Sequence, residues 1–141
     1  MLKIREEQMV SFQAVADKAF VKRVAKFLRA HHSNTRVTLP ERITTIKRME
    51  DETLTSLVHD GIARARTYGM TYESALVGFV LLMFEAAPNF DTHPAFQRFL
   101  KDEELQPNSR IDTLLEEATE EDWRLVQENY DFNAWNLKSE S

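Results

Sequence analysis

The chain has 141 residues and a formal net charge of −5; 43% of its residues are hydrophobic and 29% are charged. These values predict a globular domain with its own core and argue against wholesale disorder. Because cysteine is absent, disulfides, a thiolate nucleophile and a zinc site with sulfur ligands are excluded. Only three glycines and four prolines occur, which is too few turn residues for many short strands and favours helices.

The first predicted helix runs from Ile4 to about His31. Its apolar residues recur at steps of three and four, which is typical of an amphipathic helix: Phe12, Val15, Ala16, Ala19, Phe20, Val24, Phe27 and Leu28. Another face carries Lys18, Lys22, Lys26 and Arg29 at the same spacing. The segment before this stripe has neither a continuous apolar core nor a small-residue cleavage site, so we expect no secretory signal and a cytoplasmic location.

The region from 38 to 67 is predicted to form one bent helix or two. The sequence "TLPE" at 38–41 has the form of a capping box with Thr38 as the N-cap, and Ile43 and Ile46 continue the helical spacing. Asp51 is expected to cap the second start. Gly69 is expected just after the C-terminus, where a left-handed conformation costs glycine little.

The most apolar part of the chain is predicted to be a buried central helix over residues 72–87. Thr71 is expected to cap it, and Pro88 to end it. Apolar residues occupy every face between Ala75 and Ala87, and Gly78 would allow a neighbour to approach closely. The segment is shorter than the roughly 18 residues that cross a bilayer, so a membrane span is not expected.

The remaining chain is predicted to form shorter helices. One runs from about Pro94 to Leu105, and an acidic pair capped by Ser109 and Thr119 covers residues 109–131. A short polar tail, 132–141, contains Phe132 and Trp135, which could pack back onto the body. The sequence therefore predicts an all-α single domain over residues 1–141, a bundle of about six helices around the helix at 72–87.

The charge is divided unequally along the chain. Residues 1–50 hold eleven Lys or Arg against five Asp or Glu, whereas residues 51–141 hold seven against eighteen. Either the two regions are solvated or pack near each other, or one of them docks a partner. The candidate partner-binding residues are Glu116, Glu117, Glu120, Glu121 and Asp122 on one surface and Lys18, Lys22, Lys26 and Arg29 on the other. Nucleic acid is disfavoured because the chain is acidic and the basic stripe lacks interleaved exposed aromatic residues.

The sequence contains no strong catalytic or metal-binding motif. It lacks GxSxG, GxxxxGK[ST], GxGxxG and HExxH, and His31 and His32 are adjacent, so they point about 100° apart on a helix. We therefore expect no metal, no cofactor and no catalytic residue. An enzyme using Asp91 and His93 as carboxylate and base is the alternative, against the interpretation that Asp91, Thr92 or His93 caps the helix at Pro94.

Three blocks of sequence carry a resemblance: "IREEQM" at 4–9, "DGIARARTYGMTYESALVGFVLLMF" at 60–84 and "NFDTHP" at 89–94. Together they resemble a family of small helical proteins found in bacterial type VI secretion effector gene clusters, near PAAR-type spike proteins and their toxins. The resemblance implies a non-enzymatic accessory protein that binds a co-encoded toxin, effector or spike component, as a chaperone or adaptor. An immunity protein that neutralises a toxin through its acidic helices is the alternative, and a homo-oligomer is compatible with either role. The blocks bring no catalytic residue with them.

Overall fold

The computed structural model describes the backbone of residues 6–135 and the side chains of residues 17–135. The expectations for Phe12, Val15 and Ala16, for the block at 4–9 and for the tail beyond residue 135 lie outside these residues. The elements, in chain order, are α1 (Glu6–His31), β1 (Arg36–Thr38), β2 (Ile43–Thr45), α2 (Asp51–Thr67), α3 (Glu73–Glu85), α4 (Pro94–Leu100), α5 (Arg110–Glu117) and α6 (Glu120–Glu128). The expected fold class, a mostly helical single domain, is confirmed.

The first two helices run antiparallel, and ion pairs join their opposite ends. Arg66, near the end of α2, lies 2.8 Å from Asp17 of α1, and Arg29, near the end of α1, lies 2.7 Å from Asp51 at the start of α2. A short connection around Gly69 then reverses the chain into α3. The three longest helices therefore form an up-down-up arrangement.

Helix α3 lies at the centre of the core, as predicted, although it is shorter than residues 72–87. Its buried side chains are Ala75, Leu76, Phe79, Val80, Leu82, Met83 and Phe84. Val77 and Leu81 are only partly buried. The prediction for Gly78 is confirmed, since a Cβ there would lie 2.8 Å from Cγ2 of Ile111 on α5.

The expected helix through residues 38–49 is wrong, because this segment is a β-hairpin. Thr38 lies opposite Ile43 in an antiparallel pair, and the Leu39 N–H donates to the Arg42 carbonyl at 2.8 Å. Pro40 stands in the turn, where its fixed φ is favourable. The β-branched residues on either side suit a pleated surface, so the "TLPE" pattern marks a turn and not a capping box.

Of three residues predicted to begin or end a helix, Gly69 is confirmed, whereas Asp51 and Thr71 are not caps. Gly69 has φ +86° and its N–H donates to the Arg66 carbonyl, while the next N–H reaches the Ala65 carbonyl, which together form a Schellman motif. Asp51 is the first residue of α2 and not its cap. Thr71 does not cap α3 either; the Asn108 side-chain oxygen accepts from the N–H groups of Thr71 and its neighbour at 2.8 and 2.9 Å.

The C-terminal region closes the core over α3 and the hairpin. Helix α4 ends at Leu100, earlier than expected. Trp135 is buried against Phe84, with ring centroids 4.8 Å apart, whereas Phe132 is 40% exposed. One of the two tail aromatics therefore packs back onto the body. None of the helices within residues 6–135 combines the length and apolar surface that crossing a bilayer requires.

Candidate binding surfaces

The predicted basic residues line two adjoining depressions between α1 and α2. Helix α1 buries Val21, Val24, Ala25 and Leu28, which leaves Lys18, Lys22 and Lys26 exposed, each four residues from the last. A depression of about 320 Å³ includes Lys22 and Lys26, and another of about 520 Å³ includes Lys18 and Lys22. We call the surface formed by Lys18, Lys22 and Lys26 the lysine groove.

Arg29, the fourth predicted basic residue, makes a different set of contacts. Its guanidinium donates to the carbonyls of Ile46, Lys47 and Met49 at 3.0, 3.1 and 2.6 Å, and to the Asp51 carboxylate at 2.7 Å. Its side chain is 29% exposed. The structure therefore uses Arg29 to hold the exit of the hairpin and the start of α2 against α1.

Three of the five predicted acidic residues are exposed and have no ion-pair partner among the described residues: Glu116, Glu117 and Glu120. They lie at the end of α5 and the start of α6. Leu115, beside them in the chain, is 50% exposed. We call the surface formed by Glu116, Glu117 and Glu120 the acidic surface.

The other two acidic residues make contacts within the molecule. Hydrogen bonds from Arg124 lower the pKa of Glu121. Asp122 accepts the backbone N–H of Thr119 at 2.9 Å and so adds a capping box to the predicted Thr119 cap. That backbone bond, with the Thr119 hydroxyl and the Arg98 guanidinium at 2.9 Å, lowers the pKa of Asp122. Both carboxylates are therefore engaged in contacts within the molecule, unlike those of the acidic surface.

The two charged surfaces do not neutralise each other. The ion pairs that α1 makes among the described residues lead to α2 and α3, as in Arg23 with Glu73 at 3.0 Å. Three acids of α6, Glu121, Asp122 and Glu128, pair instead with Arg98 and Arg124. The sequence left open that the basic helix packs on the acidic helices. The ion pairs among the described residues do not support that interpretation.

Asp91 and His93 make separate contacts. Asp91 is 4% exposed; its carboxylate pairs with Arg64 and accepts the Tyr68 hydroxyl at 3.0 Å. Burial, followed by the charge of Asp91, raises the pKa of Tyr68 to about 12. The His93 Nδ1 atom accepts the Ala95 N–H at 3.1 Å, which confirms the capping interpretation for His93. Across the described residues, no group of three His, Asp or Glu side chains could hold a metal ion.

The hairpin forms a further basic surface that the sequence reasoning missed. Beside β2 lies a groove of about 590 Å³, lined by Asn34, Arg36, Arg42, Ile43, Thr44, Thr45, Lys47 and Arg48. We call it the hairpin groove. If this segment were a helix, as predicted, these cations would lie on different faces, so the prediction gave no sign of a common surface. The sequence features that indicate a hairpin here are Pro40, in the turn, and the β-branched residues on either side of it.

No protein-family model matches the chain significantly, and no curated protein or solved structure does so either.

Proposed function

We propose that this protein is a non-enzymatic adaptor that binds a secreted toxin or effector in a bacterial type VI secretion locus. An adaptor needs separate surfaces for its cargo and for the apparatus that receives it. The acidic surface and the lysine groove supply two such surfaces with opposite charge. The secretion setting rests on the sequence resemblance.

The observation that supports the proposal is that both surfaces keep their charge exposed. Glu116, Glu117 and Glu120 are exposed and make no ion pair among the described residues, and the three lysines of the groove are exposed as well. Charge of this kind speeds encounter and selects partners of opposite sign. The half-exposed Leu115 adds apolar area, which the centre of an interface requires.

The test uses the purified effector encoded beside this gene and two charge-reversed variants. The first replaces Glu116, Glu117 and Glu120 with lysine, and the second replaces the three groove lysines with glutamate. We expect one variant to lose about tenfold in association rate with the effector and to show a flatter dependence on salt. The other should retain effector binding and lose the spike component.

A matched control reverses three exposed acids elsewhere, Glu52, Glu103 and Glu104. It changes the net charge as much as the first variant and should leave the association rate within about twofold, because long-range attraction between exposed charges is screened. If neither surface variant differs from this control, neither surface is a docking site. If the effector does not bind at all, the adaptor proposal is wrong.

An immunity protein would use the same acidic surface to cover a basic toxin cleft. Co-expression separates the two roles, since an immunity protein must restore growth of cells that produce the toxin. An adaptor instead leaves the toxin active while increasing its secretion. Protection that disappears with the Glu116, Glu117 and Glu120 reversals would favour the immunity role.

A further inference from the structure

The hairpin presents a strand edge that the described chain leaves open. The Leu39 N–H donates to the Arg42 carbonyl, so these two residues form a hydrogen-bonded pair. Hydrogen-bonded and non-hydrogen-bonded pairs alternate in an antiparallel ladder. The N–H and C=O of Ile43 and the N–H of Thr45 therefore point away from β1. Among the described residues, none makes a hydrogen bond with these three groups.

The opposite edge of the hairpin is blocked at Thr38. The Thr38 N–H donates to the Tyr130 hydroxyl oxygen at 3.1 Å, and that hydroxyl donates to the Thr38 carbonyl at 3.2 Å. One side chain thus satisfies both outward groups of Thr38. The hairpin is accessible for strand pairing along β2 and not at this position of β1.

The hairpin groove runs beside this open edge and is strongly basic. Of its lining side chains, Arg42 precedes β2, Lys47 and Arg48 follow it, and Arg36 lies opposite Thr45. No acidic side chain within the described residues lines the groove. Ile43 is 66% exposed and supplies an apolar contact between the cations.

One carboxylate of the chain, which does not itself line the groove, shows how Arg42 binds an anion. Glu50 pairs with the Arg42 guanidinium through two hydrogen bonds, one of them 3.1 Å long. Arg42 is the main cause of the lowered pKa of Glu50. The side chains of this pair are 44% and 61% exposed, so the carboxylate of an incoming chain can replace Glu50.

We propose that the hairpin groove binds an extended acidic segment of a partner protein, which adds to β2 as a third strand. Backbone groups of the segment would pair with Ile43 and Thr45, as in other cases of strand addition. Its carboxylates would meet Arg42, Lys47 and Arg48. This surface is distinct from the acidic surface and the lysine groove, so the inference does not rest on the adaptor role.

The lining of the hairpin groove favours an acidic peptide segment over a second copy of the chain and over a nucleic acid. A second hairpin of the same chain would bring like charges together, which is how natural edge strands avoid pairing with copies of themselves. A nucleic acid would find phosphate-binding cations, but the lining includes no aromatic ring on which a base can stack. An acidic peptide strand satisfies both the cations and the open backbone groups.

The experiment measures fluorescence anisotropy of a labelled peptide of about six residues that alternates glutamate and valine, a length that suits a short strand. We expect saturable binding that weakens as salt rises. A peptide with lysine in place of glutamate should not bind. If the acidic peptide does not bind at low salt, the proposal is wrong.

Two N-methylated peptides test strand addition without altering the protein. One is methylated at the first, third and fifth residues, and the other at the second, fourth and sixth, so each blocks the amides along one edge of the peptide strand. We expect only one of them to lose binding, because just one edge pairs with β2. Equal binding by both would overturn strand addition, whatever the affinity of the unmodified peptide.

The double variant Lys47→Glu and Arg48→Glu tests the charge contribution. Both side chains are exposed and the variant should fold normally, which circular dichroism checks. We expect peptide affinity to fall about tenfold, because both reversed charges would repel the carboxylates of the peptide. The matched control, Lys18→Glu and Lys22→Glu, should remain within about twofold, because both lysines lie in the lysine groove. Equal losses in both variants would overturn the assignment to the hairpin groove.

Parallel measurements address the other occupants. Tighter binding of a single-stranded oligonucleotide than of the acidic peptide, abolished by the Lys47 and Arg48 reversals, would replace the proposal with a nucleic-acid site. A dimer that the same reversals dissociate would replace it with an interface between two copies.

Discussion

The guanidinium of Arg29 donates to three backbone carbonyls and to the Asp51 carboxylate, whereas Lys26, at an adjacent position of the same helix face, is exposed. Arg29→Ala would leave the three carbonyls without this donor. We expect the free energy of unfolding to fall by about 2–3 kcal/mol, as for hydrogen bonds to a charged group. Lys26→Ala should change it by less than about 0.5 kcal/mol. Urea unfolding of both variants makes the comparison, and equal losses would contradict the structural role of Arg29.

Tyr68 gives the folded protein a dependence on alkaline pH. Its pKa is raised to about 12, first by burial and then by Asp91, and it falls to about 10 in the unfolded chain. The folded state therefore holds a proton that the unfolded state releases. Its contribution to stability is complete below pH 10 and is lost as the pH rises through about 12. We expect unfolding midpoints to fall over this interval.

Tyr68→Phe separates this contribution from those of the lysines and other tyrosines that titrate nearby. The variant loses the hydrogen bond to Asp91 and should be less stable at neutral pH. Its stability should then decline less steeply than that of the unmodified protein between pH 10 and 12. Parallel curves for the two proteins across this interval would show that Tyr68 does not titrate as described.

At the scale of elements, the contact of α3 with α5 depends on Gly78. A Cβ at this position would lie 2.8 Å from Ile111 Cγ2. Gly78→Ala gains about 1 kcal/mol in helix propensity but forces α5 outward, which typically costs about 1–3 kcal/mol. We expect a net loss of stability with Ile111 present and a gain in the Ile111→Leu background, where the branching methyl is absent. The two-variant cycle in urea measures this coupling, and additive effects would contradict a direct contact.

The helices were predictable because their signals are local. The apolar stripe of α1, the glycine at φ +86° after α2 and the Thr119 capping box each lie within a few residues of what they determine. The hairpin was misread because Ile43 and Ile46 have helical spacing by coincidence: Ile46 is fully buried, whereas Ile43 is 66% exposed. The buried side chains of β1 and the residue after it, Val37 and Leu39, are instead two positions apart, which is the spacing typical of a strand.

The cap of α3 shows a second limit of local reasoning. Thr71 has the identity of an N-cap, yet the N-cap position is Tyr72, which makes no side-chain capping bond, and the Thr71 N–H itself donates to the side-chain oxygen of Asn108, 37 residues later. A hydrogen-bond partner that tertiary structure brings to the start of a helix leaves no signature in the local sequence. The same limit applies to Arg29, whose carbonyl partners lie in the segment that was predicted as helix.

At the scale of the whole molecule, Trp135 joins the last described turn to the hairpin. It is 1% exposed, and its indole N–H donates at 2.8 Å to the same Tyr130 hydroxyl that holds Thr38. We expect Trp135→Ala to cost about 3–5 kcal/mol and to speed amide exchange at Thr38. Phe132→Ala, at a side chain 40% exposed, should cost less than about 1 kcal/mol and leave that amide protected. Unchanged exchange in Trp135→Ala would contradict the link.

The charged surfaces were predictable in part. Their residues could be chosen from charge patterning alone. The structure places Lys18, Lys22 and Lys26 along two adjoining depressions and leaves Glu116, Glu117 and Glu120 exposed. Patterning could not reveal that Arg29, Glu121 and Asp122 are engaged in contacts within the molecule. It also could not reveal the hairpin groove, because that surface depends on a strand register.

The bond between Tyr130 and Thr38 spans 92 positions of the chain, and this separation matters during synthesis. At roughly 5–20 residues per second, about 5–18 s pass between translation of the two residues. Throughout that interval the outward groups of Thr38 lack the Tyr130 hydroxyl, and once Phe84 has been made its ring also lacks the cover of Trp135. The nascent protein is therefore exposed to aggregation until the turn that carries Tyr130 and Trp135 has emerged from the ribosome.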